Sequence, residues 1–230
     1  MKSREECGVC GKALIYQPDP KMMQCIFCGK SKGTNIFCPQ GHYVCDECHQ
    51  KEALVGLKRV LEATTSTSPG DILEAVTSSP EVPMHGPEHH VIVPAVLVAA
   101  TRNSGFVVPE NALEQAITRG SKVPGGWCGF CGACGAAIGV GIAISCLTKA
   151  TPLTGRERSL AIRGTTAALA KVADGYPRCC KRASRKAIEA AVDYMSSEMG
   201  IALTPGKIIK CQHVDRNQQC PKKGCSYYPG

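Results

Sequence analysis

Cysteine spacing constrains the fold of this chain more than any other feature of its sequence. Sixteen of its 230 residues are cysteine, and most of them stand in C-x-x-C pairs. Metal ions use such pairs as ligands, and a reducing cytosol disfavours disulfides. The charged start, residues 1–6, has no apolar core after it, so we expect no signal peptide and a cytoplasmic protein. Metal ligation is therefore the leading interpretation of the cysteines.

The first fifty residues predict a small module with two zinc ions. Its ligand pairs are Cys7/Cys10, Cys25/Cys28, Cys38/His42 and Cys45/Cys48. The residues between the first two pairs predict a β-hairpin between two knuckles, which is typical of a zinc ribbon. Sequential pairing of the ligands would give a ribbon followed by a site of three cysteines and one histidine, and alternate pairing would give a cross-brace. The sequence leaves both arrangements open.

The rest of the chain predicts a mainly α fold, a helical cluster-binding domain preceded by the zinc-ribbon-like module. Helical spacing of apolar residues runs from Lys51 to Thr64, and Ser68 is the predicted N-cap of a short helix. Further helices are predicted at 109–119, at 154–174 after a capping box, and at 177–199. The expected units are a double-zinc module at 1–50, a helical linker at 51–82, a helical iron–sulfur domain at 83–204 and a cysteine-rich metal-binding tail at 205–230.

Residues 125–145 carry the most specific chemistry. Cys128, Cys131 and Cys134 stand at three-residue steps in a glycine-rich loop, which suits a polynuclear iron–sulfur cluster better than a single ion. A helix starting near Ala133 would place Cys134 at its N-terminus, where the dipole favours a thiolate. The following small residues share one face for close helix packing, and the apolar run is too short to span a membrane.

Two further stretches supply candidate catalytic groups. His85 and His89 precede an apolar helix, and an imidazole suits proton transfer near neutral pH. Pro94 is expected to bend or restart that helix. The later stretch 178–182, Arg-Cys-Cys-Lys-Arg, opens a helix whose cations and N-terminus would depress a thiol pKa. We expect either Cys179 or Cys180 to bind the cluster, and Arg178, Lys181 or Arg182 to hold a substrate carboxylate.

The tail contains four more candidate ligands: Cys211, His213, Cys220 and Cys225. They would close a third zinc site, or the cysteines would reach back to complete the cluster. Both alternatives stay open at the level of sequence.

Over nearly its whole length the chain resembles a family of uncharacterised, cysteine-rich proteins of methanogenic archaea and anaerobic bacteria. The resemblance rests on the paired cysteines, His85 to His90, Gly126 to Cys134, Tyr176 to Cys180 and the tail. It implies an anaerobic context and names no reaction. A weaker similarity, over residues 84–192, is to the iron–sulfur L-serine dehydratases and L-cysteine desulfidases. It implies that Cys134 or Cys131, with Cys179 or Cys180, ligates a [4Fe–4S] cluster with one iron open to substrate.

The function expected is iron–sulfur chemistry on a small amino-acid-like or sulfur-containing substrate, by elimination or sulfur transfer. The alternative is a non-enzymatic accessory protein that docks on a partner protein or carries a cluster. Nucleic-acid binding is disfavoured, because aromatic and basic residues are not interleaved. No membrane partner is expected, and the sequence leaves open whether the chain forms a homo-oligomer.

Overall fold

The structure is a computed structural model that describes residues 6–7, 9–204, 206–207 and 209–230. The charged start used above for the signal-peptide expectation lies largely outside the described residues. Within them, the chain is mainly helical, with one small antiparallel sheet. The strands are β1 (Ile15–Gln24) and β2 (Ser31–Phe37), and the helices are α1 (Asp46–Ala63), α2 (Pro69–Thr77), α3 (Glu88–Asn103), α4 (Ala112–Gly120), α5 (Trp127–Phe130), α6 (Gly135–Thr148), α7 (Gly155–Val172) and α8 (Cys180–Met199).

The hairpin has a different position from the one predicted. Its two strands flank the second ligand pair, so only one strand lies between the first and second pairs. Pro18 and Pro20 fall in an irregular part of the strand pairing, between Tyr16 and Lys21, and not in a turn. The turn itself carries Cys25 and Cys28 and uses Gly29 at φ 71°, a left-handed conformation that favours glycine.

Helices α1 and α2 belong to the helical core. Helix α1 begins directly after Cys45, earlier than predicted, and buries Leu57 and Leu61. The Ser68 side chain accepts the backbone N–H of Asp71 at 3.1 Å, which confirms it as the N-cap of α2. Both helices pack in the same hydrophobic core as α3.

Helix α3 lies at the centre of this body, and its residues from Glu88 to Thr101 are buried. Of the two effects expected of Pro94, a bend or a restart, the restart does not occur, because the helix continues through Pro94 to Asn103. Proline has no N–H to offer the carbonyl of His90 four residues earlier. That carbonyl instead faces α4, where a Cβ on Gly120 would lie only 2.6 Å from it.

Helix α6 packs between α3 and α7 through its small residues. A methyl group on Gly139 would lie 2.8 Å from Pro94 Cδ, and one on Gly141 would lie 2.8 Å from the carbonyl oxygen of Ala161 in α7. The predicted close-packing face is therefore confirmed, and α6 has glycine contacts on a second side as well. Among the described residues, none of the helices combines the length and the apolar character needed to cross a membrane.

The starts of α4 and α8 differ from the predictions by a few residues, whereas α7 begins at Gly155, directly after Thr154, as predicted. Helix α4 begins at Ala112, because Pro109 and the residues after it form a turn. The Thr154 hydroxyl makes no helix-cap hydrogen bond and instead accepts the N–H of Thr151 at 2.8 Å. Helix α8 begins at Cys180, with the sulfur of Cys179 accepting the N–H of Arg182 at 3.4 Å. Side-chain capping by a cysteine was not visible in the spacing of the apolar residues.

Candidate functional site

Two sets of ligands in the N-terminal module could each hold one metal ion. Cys7, Cys10, Cys38 and His42 form one set, and Cys25, Cys28, Cys45 and Cys48 form the other, each with its ligand atoms within 4.8 Å of one another. The sulfur atoms of Cys10 and Cys38 are 3.5 Å apart, and those of Cys28 and Cys45 are 3.6 Å apart. The first and third ligand pairs therefore combine, as do the second and fourth, which is the cross-brace arrangement.

The hairpin explains this pairing. Ile15, at the start of β1, pairs with Phe37, at the end of β2, which brings Cys38 back beside the first knuckle. The second knuckle lies at the opposite end of the hairpin, where the backbone N–H of Cys45 donates to the sulfur of Cys25 at 3.4 Å. Burial alone would raise the pKa of Cys25, but backbone N–H groups lower it to about 6. Each end of the hairpin therefore carries one of the two ligand sets.

A cavity of about 610 Å³ brings together most of the cysteines predicted to hold a cluster. Cys128 and Cys134 reach it from the glycine-rich loop before α6, and Cys179 and Cys180 reach it from the start of α8. Cys131 is exposed and is not among the residues that line the cavity. Tyr16 and Ile36 of the hairpin also line it, so the N-terminal module forms part of the wall.

His89 faces the same cavity and is fully buried. Its Nδ1 donates to the carbonyl of Gly86 at 3.3 Å and lies 3.6 Å from Glu88 Oε1. Among the described residues, its Nε2 has no hydrogen-bond partner. Because the proton is held on Nδ1, Nε2 presents a lone pair, which can accept a proton or bind a metal ion.

Glu88 supports His89 from behind. Its carboxylate is fully buried and accepts a hydrogen bond from His49 Nδ1 at 3.1 Å. Burial alone would raise the pKa of Glu88, but its interactions with His49 and His89 hold it at about 2. The carboxylate is therefore ionised between two imidazoles. It lies where it would stabilise positive charge on His89 after proton uptake.

The other predicted catalytic residues are spread over several environments. His85 hydrogen-bonds to Asn217 of the tail, and burial lowers its pKa to about 3. Arg178 lines the cavity and donates to the Tyr16 hydroxyl at 2.5 Å. Lys181 is buried and donates to the Thr77 carbonyl at 2.5 Å, and it does not line the cavity. Arg182 lines the cavity and pairs with Asp174 at 2.8 Å.

Burial acts on the cavity thiols in the direction opposite to that predicted. It raises the pKa of Cys134 and Cys179 and raises that of Cys180 to about 12. Backbone N–H groups from Ala136 and Ala137 to Cys134, and from Gly86 to Cys180, only partly oppose it. The expected depression by helix N-termini and cations is therefore wrong for the protein without metal, because desolvation outweighs both effects.

The tail residues gather at a second, smaller cavity. It is lined by Cys211, His213, Cys220 and Cys225 together with Cys179 from the cap of α8. The tail contains two short 3-10 turns, Val214–Arg216 and Lys222–Gly224. Its end is held on α8 by the Tyr227 hydroxyl, which donates to Glu189 at 2.6 Å.

Sequence reasoning missed several residues that shape the large cavity. Glu88 was the most detectable, because a carboxylate between two histidines and an apolar helix has to be paired when it is buried. His49 and Asp46 gave no such signal. Asp46 accepts the backbone N–H of Gly125 at 2.9 Å, at the start of the glycine-rich loop before α6.

Fold and sites together define a helical, cysteine-rich metal-binding protein with a cross-braced N-terminal module. The chain belongs to the family of unknown function DUF5714, whose model matches residues 57–228. The match begins inside α1, so the ligands of the N-terminal module precede it. Searches of curated proteins and of solved structures give no match to the chain.

Proposed function

We propose that this protein is an iron–sulfur enzyme that acts on a small amino-acid-like or sulfur-containing substrate in the large cavity, by elimination or sulfur transfer. The observation that carries the proposal is the shared lining of that cavity. Four cysteines from two separate segments meet there with a buried imidazole nitrogen that has no hydrogen-bond partner among the described residues. A purely structural metal site has no need of such a histidine or of so large a space.

The donor set of the cavity fits a polynuclear cluster. Cys128, Cys134 and Cys180 would hold it, with Cys179 beside them. Among the described residues, no three of these sulfur atoms lie within 4.8 Å of one another. The ligand atoms of each N-terminal set, by contrast, all lie within that distance. The loop also leaves room, since a Cβ at Gly129 or Gly132 would meet no atom within 4 Å. With three thiolate ligands, a bound cluster would supply an iron that acts as a Lewis acid on the substrate.

The surrounding residues would bind the substrate and move its proton. His89 Nε2 would take a proton from the substrate, and the Glu88 carboxylate would stabilise the resulting imidazolium. Arg178 would hold a substrate carboxylate at the cavity wall, where Tyr16 fixes its guanidinium by a hydrogen bond and a ring contact of 5.0 Å.

The two N-terminal sites would hold zinc. One set has three cysteines and one histidine, the other has four cysteines, and sulfur atoms 3.5 to 3.6 Å apart suit a tetrahedral ion. The role of these sites would be structural. They fix the hairpin so that Tyr16 and Ile36 close one side of the cavity.

Electron paramagnetic resonance of the protein, purified without oxygen and then reduced, tests this proposal. We expect a cluster signal that shifts when L-cysteine, L-serine or sulfide is added, because one iron is open. Cys134→Ala and Cys180→Ala should each remove the shifting signal, and Cys146→Ala, a buried cysteine that lines neither cavity, should keep it.

His89→Gln separates catalysis from cluster assembly. We expect this variant to keep the cluster signal and its shift, and to lose release of ammonia or sulfide from the substrate. A cluster signal that none of the three compounds changes would contradict the open iron and favour an accessory protein.

A further inference from the structure

Four cysteine thiols surround the small cavity between the tail and the start of α8. Cys211, Cys220 and Cys225 come from the tail, and Cys179 comes from the N-cap of α8. Cys179 is buried, and the three tail cysteines are partly buried. Cys179 is separated from the tail cysteines by more than thirty residues along the chain, so their convergence is a property of the fold.

We propose that these four cysteines ligate a second iron–sulfur cluster, distinct from the one in the large cavity. Four thiolates are the usual ligand set of a closed cluster. With all four positions taken by protein, this cluster would have no open iron. It would therefore not bind substrate, and the proposal goes beyond the function proposed above.

Backbone N–H groups already point at three of these sulfur atoms. Arg182 donates to Cys179, His213 donates to Cys211 and Lys222 donates to Cys220, each at 3.4 Å. The two N-terminal sets show the same feature, with Gln40 donating to Cys38 at 3.3 Å. Such bonds stabilise thiolates and are typical of cysteines that bind metal. His213 thus contributes a backbone donor, and four sulfur atoms complete the ligand set without its imidazole.

The spacing of the sulfur atoms favours a cluster over a single ion. A zinc–sulfur distance of about 2.3 Å places tetrahedral ligands about 3.8 Å apart. The N-terminal sets meet this requirement, with sulfur atoms 3.5 and 3.6 Å apart. Among the described residues, no three of the ligand atoms around the small cavity come within 4.8 Å of one another. A core of several iron and sulfide atoms needs this wider spacing.

Positive charge surrounds the small cavity. Arg182 and Arg185 both line it, and the guanidinium of Arg185 lies near Cys211. Among the described residues, the buried Nη1 of Arg182 has no hydrogen-bond partner. Four thiolates around an iron–sulfur core leave net negative charge, which these cations would offset.

The adjacent pair Cys179 and Cys180 would then be divided between two centres. Neighbouring positions at a helix start diverge by about 100°, so two adjacent thiols do not easily bind one iron. Cys180 is held by the N–H of Gly86, on the side of His89, and lines only the large cavity. Cys179 lines both cavities, and we assign it to the tail cluster because three further thiols meet it there.

Iron, sulfide and zinc analysis of the full chain, purified without oxygen, tests the tail cluster. We expect Cys211→Ser and Cys225→Ser each to lose about four iron and about four sulfide relative to the wild type. Both variants should keep about two zinc. His213→Ala and Cys146→Ala are the matched controls, and both should keep the full iron content. Unchanged iron in Cys225→Ser, or the loss of one zinc instead of iron, would overturn the proposal.

The same analysis distinguishes this cluster from the one proposed in the large cavity. Cys128→Ala and Cys134→Ala should remove the signal that shifts with substrate and keep a second, unshifted signal. Loss of the unshifted signal in Cys134→Ala would place all the iron in one centre and would contradict a separate tail cluster.

Alkylation of the wild-type chain avoids the risk that a variant fails to fold. With the cluster intact, we expect Cys179, Cys211, Cys220 and Cys225 to resist iodoacetamide. After oxidative removal of iron, mass spectrometry should find the three tail cysteines alkylated. Alkylation of these cysteines at equal rates before and after iron removal would also overturn the proposal.

Discussion

Glu88 is the residue on which the arrangement of the large cavity most depends. Its carboxylate is fully buried, yet it stays ionised because His49 and His89 flank it. Gly86 supports the same group of residues through both of its backbone polar groups. Its carbonyl accepts from His89 Nδ1, and its N–H donates to Cys180. Its φ of 153° is a conformation that favours glycine, so this short turn holds the His89 imidazole and the Cys180 thiol near each other.

Glu88→Gln should destabilise the protein strongly. The folded pKa of about 2 lies below the ordinary value of 4.5, so the ionised carboxylate stabilises the fold above about pH 4.5, and this stabilisation is lost as the pH falls toward 2. At 1.36 kcal/mol per pH unit, we expect the free energy of unfolding at pH 7 to fall by about 3 kcal/mol. Urea denaturation of the metal-loaded protein measures this loss.

Glu198→Gln is the control for that experiment, because Glu198 forms a largely exposed ion pair with Arg163. It should change the unfolding free energy by less than about 0.5 kcal/mol. Equal effects of the two substitutions would mean that the Glu88 carboxylate is not held by the two histidines.

At the scale of elements, the cross-brace is the clearest test of the N-terminal module. Cys10→Ser should reduce the zinc content from about two to about one. It should expose Cys7 and Cys38 to alkylation, because they share its ligand set, and leave Cys25 and Cys28 protected. Mass spectrometry of the alkylated peptides checks the pattern. Exposure of Cys25 and Cys28 with continued protection of Cys38 would instead indicate sequential pairing.

The packing of α6 on α3 gives a second prediction for this scale. Gly139→Ala should lower the free energy of unfolding by about 1 to 3 kcal/mol, since the new methyl group would lie 2.8 Å from Pro94 Cδ. Gly155→Ala, at the start of α7, is the matched control because its new methyl group would meet no atom within 4 Å. It should be neutral or slightly stabilising. Thermal unfolding compares the two variants, and a neutral Gly139→Ala would contradict the close packing.

Local features of the sequence predicted most of the helices and the N-terminal ligands. The periodicity of apolar residues and helix caps such as Ser68 involve only a few neighbouring residues, so both can be recognised in the sequence itself. The assignment of the N-terminal ligands to two metal sites could not be predicted from the sequence, because it depends on the strand register that pairs Ile15 with Phe37. The meeting of Cys179 with Cys225 depends on tail packing over a long separation in sequence. The predicted direction of the thiol pKa shifts was wrong for a related reason, since the burial that raises these pKa values depends on the whole fold.

At the scale of the whole molecule, the cavities lie where separate parts of the chain meet. The N-terminal hairpin supplies Tyr16 and Ile36 to the wall of the large cavity, and α1 joins it to α3 through His49 and Glu88. The tail closes the small cavity against the start of α8. The adjacent cysteines at the start of α8, Cys179 and Cys180, thus line two cavities between them.

We propose that these two thiol-lined cavities hold iron–sulfur clusters while the N-terminal module holds zinc. Metal and acid-labile sulfide analysis of the wild-type chain, purified and reconstituted without oxygen, tests it most directly. We predict about two zinc, about eight iron and about eight sulfide per chain. Zinc alone, with no sulfide after reconstitution, would contradict the account and leave a zinc-stabilised binding protein.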